Sequence, residues 1–288
     1  MPAVVNAAKS DYQTIDLTVE DGVARVTLSR PEKRNAMSAA FWGEIRGVFE
    51  RMAEMPEVRA AVLASSGPHF TAGIDLALLA GIVTDESDLE EGRRRENLRR
   101  TVLELQESFN VLERTHVPVL AAIQGGCIGG GIDMISACDM RYCTEEAFFV
   151  VKEIEVGMTA DLGTLQRLPR VMPDGLAREL AFTGRRMTAA EAKDCGLVNA
   201  VFADHATMLD EVTALARRIA GHSPLAVAGT KEMLNYTRDH SIADGLNHIA
   251  TWQAGMFLSE DLREAASALM EKRAPVFKDL ALASTLPK

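Results

Sequence analysis

Short apolar stretches alternate with amphipathic ones over the first two thirds of the chain. Val23–Leu28 alternates apolar and polar side chains, which predicts a strand. Apolar side chains recur at helical spacing after Ser38, so we expect a helix over 38–54 with Ser38 as its N-cap. The same criteria predict a helix over about 131–138 and strands at 60–64, 117–123, 140–143 and 148–151. Strands that alternate with helices favour a parallel or mixed sheet.

Helical spacing dominates the chain after Asp161. Thr188 is the expected N-cap of a short helix that Gly196 ends, and 197–202 is the last expected strand. Four more helices are predicted over 205–220, 224–238, 242–258 and 260–272. Before this region, residues 84–100 are acidic and then basic, which predicts a solvated loop leading into a helix that ends near Thr115. The chain should therefore be mixed α/β with a helical C-terminal region.

Composition is that of an ordinary globular protein. The chain has 288 residues, of which 47% are hydrophobic and 25% charged, so it can bury a large core without disulfides. Its net charge of −10 argues against a broad nucleic-acid-binding face, although one local basic patch could hold a small phosphorylated ligand. Four scattered cysteines without a C-x-x-C pair indicate free intracellular thiols.

Neither end of the chain carries a targeting pattern. Residues 1–16 contain no apolar run behind a basic start, so no signal peptide is expected. The chain ends in Ser-Thr-Leu-Pro-Lys, which is not the peroxisomal Ser-Lys-Leu address. The longest uncharged run, 117–132, is too short to span a bilayer. We therefore expect a soluble cytoplasmic protein, with a mature organellar protein as the alternative.

Two glycine-bearing turns follow buried strands and are candidate ligand sites. The first is Gly-Gly-Cys-Ile-Gly-Gly-Gly at 125–131, where glycines allow backbone N–H groups to approach a ligand. It fits neither G-x-G-x-x-G nor a Walker loop. A phosphate cradle, an oxyanion hole and a tight packing turn remain open as interpretations. The second turn, 70–76, could supply another N–H donor, with Asp75 as the N-cap of a segment that starts at Leu76.

Three carboxylates, Asp133, Glu153 and Asp161, stand in the most glycine-rich and apolar part of the chain. Each also has a structural interpretation. Asp133 could be an acid in a helix first turn, Glu153 and Glu155 could be exposed strand residues, and Asp161 could cap a helix. Partial burial would instead raise their pKa values and suit them to acid–base chemistry. No His-Glu-x-x-His motif or His/Cys cluster is present, so no metal site is expected.

Several motifs are similar to those of a known family. Residues 30–36 (Arg-Pro-Glu-Lys-Arg-Asn-Ala), 70–76 and 123–139 resemble the enoyl-CoA hydratase/isomerase (crotonase) superfamily, and the resemblance runs from about 15 to 280. Within that superfamily, four segments resemble the Δ(3,5)-Δ(2,4)-dienoyl-CoA isomerases: 125–133, 137–143, 151–157 and 160–169. Hydratases of the family usually carry Glu at the position of Asp133 and Gly near Asp161. Both departures point toward the dienoyl-CoA isomerases.

This resemblance implies an α/β fold, a crotonase-like spiral of ββα units with a helical C-terminal trimerisation region. It divides the chain into a core at 1–203 with the acyl-CoA site and an oligomerisation region at 204–288. The implied assembly is a homotrimer that can pair into a hexamer. The implied ligand is an acyl-CoA thioester, with no metal or redox cofactor because coenzyme A is part of the substrate. Neither nucleic acid nor membrane insertion is implied.

Site roles follow from the resemblance by position. The implied base at C2 of the substrate is Glu153, the acid at C6 is Asp161, and Asp133 is a supporting acid. The implied oxyanion hole consists of the N–H groups of Ile74 and Gly130. The implied coenzyme A contacts are Lys33, Arg34 and Ala72.

The chemistry of a 3,5-dienoyl thioester agrees with these roles. Removal of a C2 proton gives a dienolate whose charge spreads from the thioester oxygen to C6. Because C6 is four bonds from C2, two separately placed carboxylates suit the transfer better than one. The nearest alternative is an enoyl-CoA hydratase, in which Asp133 and Glu153 activate water and Asp161 has no role. The other is a non-catalytic scaffold or RNA-binding protein, for which the arginines of 93–100 are the one supporting feature.

Overall fold

Two sheets form the centre of the part of the chain that the computed structural model describes, residues 12–84 and 89–280. Their strands are β1 (Ile15–Glu20), β2 (Val23–Leu28), β3 (Ala60–Ser65), β4 (Val119–Ile123), β5 (Gly126–Ile128), β6 (Met140–Thr144), β7 (Phe148–Val150), β8 (Met187–Thr188) and β9 (Ala200–Phe202). The larger sheet has the order β1-β2-β3-β4-β6-β9 and is parallel apart from the β1–β2 hairpin, in which Ile15 pairs with Leu28. The smaller sheet has the order β5-β7-β8.

Helices cover both faces of the larger sheet. In the described ranges they are α1 (Ala39–Ala53), α2 (Leu76–Val83), α3 (Glu91–Arg114), α4 (Gly130–Ser136), α5 (Thr164–Val171), α6 (Asp174–Thr183), α7 (Ala189–Asp194), α8 (His205–Ala220), α9 (Pro224–Tyr236), α10 (Ile242–Met256) and α11 (Glu260–Glu271). Short 3-10 turns occupy Pro31–Lys33 and Glu153–Val156. Among these helices, none combines the length and the apolar character that a membrane crossing requires.

Strand β3 shows why the central strands are apolar on both sides. Ala61 and Leu63 pack into a core that includes α1 and α3, whereas Val62 on the opposite face packs against α8. Strands covered on both faces have no solvent-facing side chains, so they lose the polar–apolar alternation of β2. Helix α8 is therefore part of the core layers, although it follows the predicted division at residue 203. That division itself stays a prediction.

Most predicted elements are confirmed, and the clearest difference is the charged run at 84–100. It is helical from Glu91 onward rather than a loop. The Glu90 side chain accepts the N–H groups of Gly92 and Arg93 and so begins α3, and further along Arg100 pairs with Glu96 one turn away. Such pairs stabilise an exposed helix without burying it. The predictions about targeting signals rest largely on residues 1–11 and 281–288, which lie outside the described residues.

A buried ion pair ties the C-terminal helices to the core. Lys231 of α9 is only 5% exposed and donates to Asp139 Oδ2 at 2.8 Å and to the carbonyl groups of Leu112 and Val117 at 2.9 Å. All three ammonium protons therefore have acceptors, which offsets the cost of burying the charge. In α9–α11 and in the link between α10 and α11, several large apolar side chains are more than half exposed: Leu234, Ile242, Leu246, Phe257, Leu258, Leu269 and Met270.

Candidate active site

Asp133 lies in the first turn of α4, directly after the glycine run, and its side chain points into the protein. It is 1% exposed, and its Oδ1 accepts the N–H of Thr164 at 2.7 Å. This bond joins the N-terminus of α4 to that of α5. Burial raises the pKa of Asp133 to about 6, although the bond from Thr164 opposes the rise. A first-turn acid that only served the helix dipole would lie in solvent, so this burial favours a functional role.

Glu153 begins the 3-10 turn Glu153–Val156, so the interpretation as an exposed strand residue is wrong. Its Oε1 lies against Gly129, where a Cβ atom would come within 3.2 Å of it. Gly129 adopts a φ of 53° as the N-cap of α4, a conformation that favours glycine. Glu153 Oε2 is buried and has no hydrogen-bond partner among the described residues. Burial, and then the nearby Asp133 and Asp161, raise the pKa of Glu153 to about 7.

Asp161 precedes α5 but does not cap it, because the N-cap of that helix is Gly163. The interpretation of Asp161 as a helix cap is therefore wrong. The main-chain carbonyl group of Asp161 accepts a hydrogen bond from Nε2 of Gln106 in α3 at 2.7 Å. Burial raises the pKa of the half-buried Asp161 carboxyl group. Asp161 also raises the pKa values of Asp133 and Glu153, so the three carboxyl groups lie close enough to interact. Each of the three carboxyl groups therefore loses its proton less readily than an exposed carboxyl group does.

Two backbone N–H groups stand free where the two glycine-bearing turns meet. No described residue accepts a hydrogen bond from the N–H of Ile74 or from that of Gly130, the first residue of α4. The turns approach closely, since a Cβ on Gly73 would lie 2.8 Å from the carbonyl oxygen of Ile128 and 3.6 Å from Gly130 N. Two free donors at a helix N-terminus and an adjacent turn can stabilise a developing oxyanion.

The glycine run packs closely against its neighbours and also presents a backbone donor without an acceptor among the described residues. Gly131 serves packing, because a Cβ there would lie 2.5 Å from Cγ2 of Thr71. Gly130 instead presents the free N–H group that an oxyanion hole needs. Close packing of one glycine thus helps to set the position of the other. Whether this N–H group binds an oxyanion or a phosphate stays a prediction.

Lys33 and Arg34 form an exposed cationic pair beside the second turn. The carbonyl group of Arg34 accepts the N–H of Ala72 at 2.9 Å, which places the 3-10 turn Pro31–Lys33 next to residues 70–76. Both cationic side chains are exposed, and neither has an ion-pair partner among the described residues. They are therefore available to an anionic ligand near Ile74. Their predicted role toward coenzyme A stays a prediction.

Comparisons with known proteins agree with this arrangement. The family model for enoyl-CoA hydratase/isomerase matches residues 18–280. The chain belongs to this family. It is 46% identical over 265 residues to the mitochondrial Δ(3,5)-Δ(2,4)-dienoyl-CoA isomerase of Rattus norvegicus, covering 91% of this chain and 81% of the relative. The peroxisomal enzyme of that name from Arabidopsis thaliana is 43% identical over 273 residues, covering 93% and 98% of the two chains.

A solved structure of the same family confirms the crotonase-like fold. The enoyl-CoA hydratase from Bacillus anthracis superposes with a TM-score of 0.84 at 30% identity, over 92% of this chain and 99% of that one. The resemblance to the enoyl-CoA hydratase/isomerase family is thus confirmed, whereas the roles of individual residues stay predictions.

Three further residues contact a carboxyl group or the backbone next to one, and they were not predicted as site residues. Thr164 binds Asp133, Gln106 binds the main chain at Asp161, and Arg167 lies beside Gly163. Thr164 and Arg167 fall within the family motif at 160–169, so that motif was the available signal. No local pattern marks Gln106, because it meets Asp161 across 55 residues of sequence.

Proposed function

We propose that this protein is a Δ(3,5)-Δ(2,4)-dienoyl-CoA isomerase of fatty-acid β-oxidation that moves a proton from C2 to C6 of its substrate. One observation carries the proposal: three interacting carboxyl groups with raised pKa values lie in the same site as two free backbone N–H groups. The names of the relatives at 43–46% identity support the same activity. The proposed chemistry needs no metal or redox cofactor.

In the first half of the proposed reaction, Glu153 takes the C2 proton. No donor in the described part of the chain satisfies its buried Oε2, and its pKa of about 7 lets it act as a base at neutral pH. The electron pair of the C–H bond moves toward the thioester oxygen and the diene. The N–H groups of Ile74 and Gly130 would stabilise the oxygen end, an interaction worth about 3 kcal/mol for each donor in comparable enzymes.

In the second half, Asp161 gives a proton to C6 and becomes a carboxylate. Burial raises the pKa of Asp161, so its protonated form, which this step requires, costs less than in an exposed aspartic acid. The double bonds then lie at C2 and C4, and the proton gained by Glu153 must return to Asp161 before the next turnover. Asp133 interacts with both groups and would support that redistribution of charge.

The proposal extends to assembly and compartment. The large apolar side chains exposed on α9, α10 and α11 support a homotrimer, or a hexamer of two trimers, as the working form. Two relatives are named as mitochondrial and peroxisomal enzymes, which supports action in the compartment where the host oxidises fatty acids. The alternatives are a hydratase and a non-catalytic family member.

The test separates the two proton transfers. In deuterated water, Glu153→Gln should lose both isomerisation of a 3,5-dienoyl-CoA and exchange of its C2 proton, each by about a hundredfold or more. Asp161→Asn should lose isomerisation but retain exchange, because the dienolate forms and cannot be protonated at C6. Ultraviolet absorbance follows isomerisation, and mass spectrometry of recovered substrate follows exchange. The exposed Glu155→Gln, two residues from Glu153, is the matched control and should retain both.

Each alternative gives a different result. If Asp161→Asn isomerises normally, the two-ended transfer is wrong. Hydration of a 2-enoyl-CoA that is faster than isomerisation of the dienoyl-CoA would favour a hydratase. If Asp161→Asn loses exchange while Glu153→Gln retains it, the two roles are reversed. A wild-type protein without activity on either substrate would favour the non-catalytic alternative.

A further inference from the structure

Residues 161–164 run from Asp161 to Thr164, the first residue of α5, whose N–H group binds Asp133. Side chains of α3 and α5 hold the main chain of this segment. Gln106 Nε2 of α3 donates to the carbonyl group of Asp161 at 2.7 Å. Arg167 Nη1 donates to the carbonyl group of Leu162 at 3.4 Å. Both contacts leave the Asp161 carboxyl group free while fixing the backbone that carries it.

Arg167 is itself held from two further directions. Its Nη2 donates to Asn110 Oδ1 at 2.7 Å, and Nε and Nη2 donate to Glu113 Oε2 at 3.2 and 2.8 Å. The side chain is 13% exposed, so these charge-assisted bonds are shielded from solvent. One planar guanidinium group thus joins Leu162 to two residues of α3. A lysine ammonium group at the same position could not span these acceptors.

Gly163 makes room for this guanidinium group. Its φ is 129°, and a Cβ atom there would lie 1.8 Å from Arg167 Nη1. The guanidinium group therefore occupies the space that a side chain at 163 would fill. The next residue, Thr164, donates its N–H to Asp133. Gly163 thus lies between Asp161 and Thr164, the residue whose N–H group binds Asp133.

We propose that Arg167 and Gln106 are positioning residues that hold segment 161–164 against α3, so that the Asp161 carboxyl group stands where C6 of the substrate is protonated. This inference rests on the proposed function and assigns residues to its second half. Small displacements of a proton donor can cost a hundredfold in rate. Because Asp161 acts only at C6, a displaced segment should slow protonation at C6 more than proton removal at C2.

The test compares isomerisation with C2 exchange in Arg167→Met and Gln106→Leu. Each variant should lose about ten- to a hundredfold in the kcat of isomerisation, with exchange and KM changed by less than about threefold. Arg167→Lys should not restore isomerisation, because it lacks the planar fork. Arg178→Met is the matched control: Arg178 is exposed on α6 and pairs with Asp174 four residues earlier, and its loss should change neither rate.

The outcomes separate this inference from the proposed function. If wild-type protein does not isomerise a 3,5-dienoyl-CoA, the proposed function fails and the inference fails with it. If wild type is active but folded variants lose exchange and isomerisation equally, or lose neither, the inference alone is overturned. Circular dichroism establishes folding. Should Arg167→Met not fold, Gln106→Leu decides, because it removes a single hydrogen bond from a half-buried side chain.

Discussion

Replacing Glu153 by Gln should stabilise the folded protein at alkaline pH while removing the proposed base. Folding raises the pKa of this carboxyl group from an ordinary 4.5 to about 7, mainly through burial. The folded state then binds the proton more tightly than the unfolded state does. The contribution of Glu153 to the free energy of unfolding is therefore greatest below pH 4.5, falls as pH rises to about 7, and is level above. A difference of one between the folded-state and unfolded-state pKa corresponds to about 1.4 kcal/mol of folding free energy. At pH 8 the ionised Glu153 therefore destabilises the folded state by on the order of 3 kcal/mol.

Glutamine keeps the shape of the side chain and removes the charge, so the variant should escape this cost. Partial exposure of Glu153 reduces the gain, and we expect about 2 kcal/mol at pH 8 and less than about 1 kcal/mol at pH 5. Urea unfolding at both pH values measures the difference. Protein concentration is kept constant because assembly would add to stability. The exposed Glu155→Gln, which loses only its pairing with Lys152, should show no such pH trend.

The reasoning would be refuted if Glu153→Gln gained no more stability at pH 8 than at pH 5. Glu153 would then not bear a desolvation cost as a carboxylate, and its pKa would not be raised by burial. The base assignment would lose its electrostatic support. A gain at pH 8 together with lost isomerisation would instead show that the site trades stability for function.

Three further predictions concern the ligand, the assembly and pH. Lys33→Glu combined with Arg34→Glu should raise KM for the acyl-CoA more than it lowers kcat, because phosphate contacts persist from ground state to transition state; an unchanged KM would contradict this placement. Light scattering at micromolar concentration should give three or six times the chain mass of 31.3 kDa, and a single-chain mass would contradict assembly through α9–α11. The rate of C2 exchange should rise to a plateau with a midpoint near pH 7 because Glu153 must be ionised. Isomerisation should fall again at higher pH because Asp161 must be protonated, so a rate that stays parallel to exchange up to pH 9 would argue against that acid.

Local patterns were sufficient for most helices and strands. Asp75 accepts the N–H of Ala77 as the predicted N-cap of α2, and Thr188 forms a complete capping box with Glu191. These signals lie within four residues of each other, so the sequence displays them directly. Strand β1 was missed although its signal is also local. Asp21 and Gly22 both have positive φ values between β1 and β2, as expected for an Asp-Gly hairpin turn.

The candidate site was only partly predictable because its contacts are distant in sequence. The resemblance supplied Asp133, Glu153 and Asp161, and the structure brings their carboxyl groups together. It did not supply the bond from Thr164 to Asp133, which joins residues 31 apart, or the packing of Arg167 on Gly163. Periodicity reports which face of an element is buried, but not which element covers it.

The backbone donors and the carboxyl groups of the candidate site depend on the sequence in different ways. The N–H groups of Ile74 and Gly130 belong to the backbone, so any chain that keeps the close approach of the two turns keeps them. The carboxyl groups are side chains, and a change at one of them alters which proton can move without disturbing the turns. The same backbone arrangement can therefore serve different reactions. The proposed proton removal at C2 needs only Glu153 and the N–H groups of Ile74 and Gly130. We therefore expect Asp161, the residue whose backbone is held by α3, to determine what happens to the dienolate afterwards.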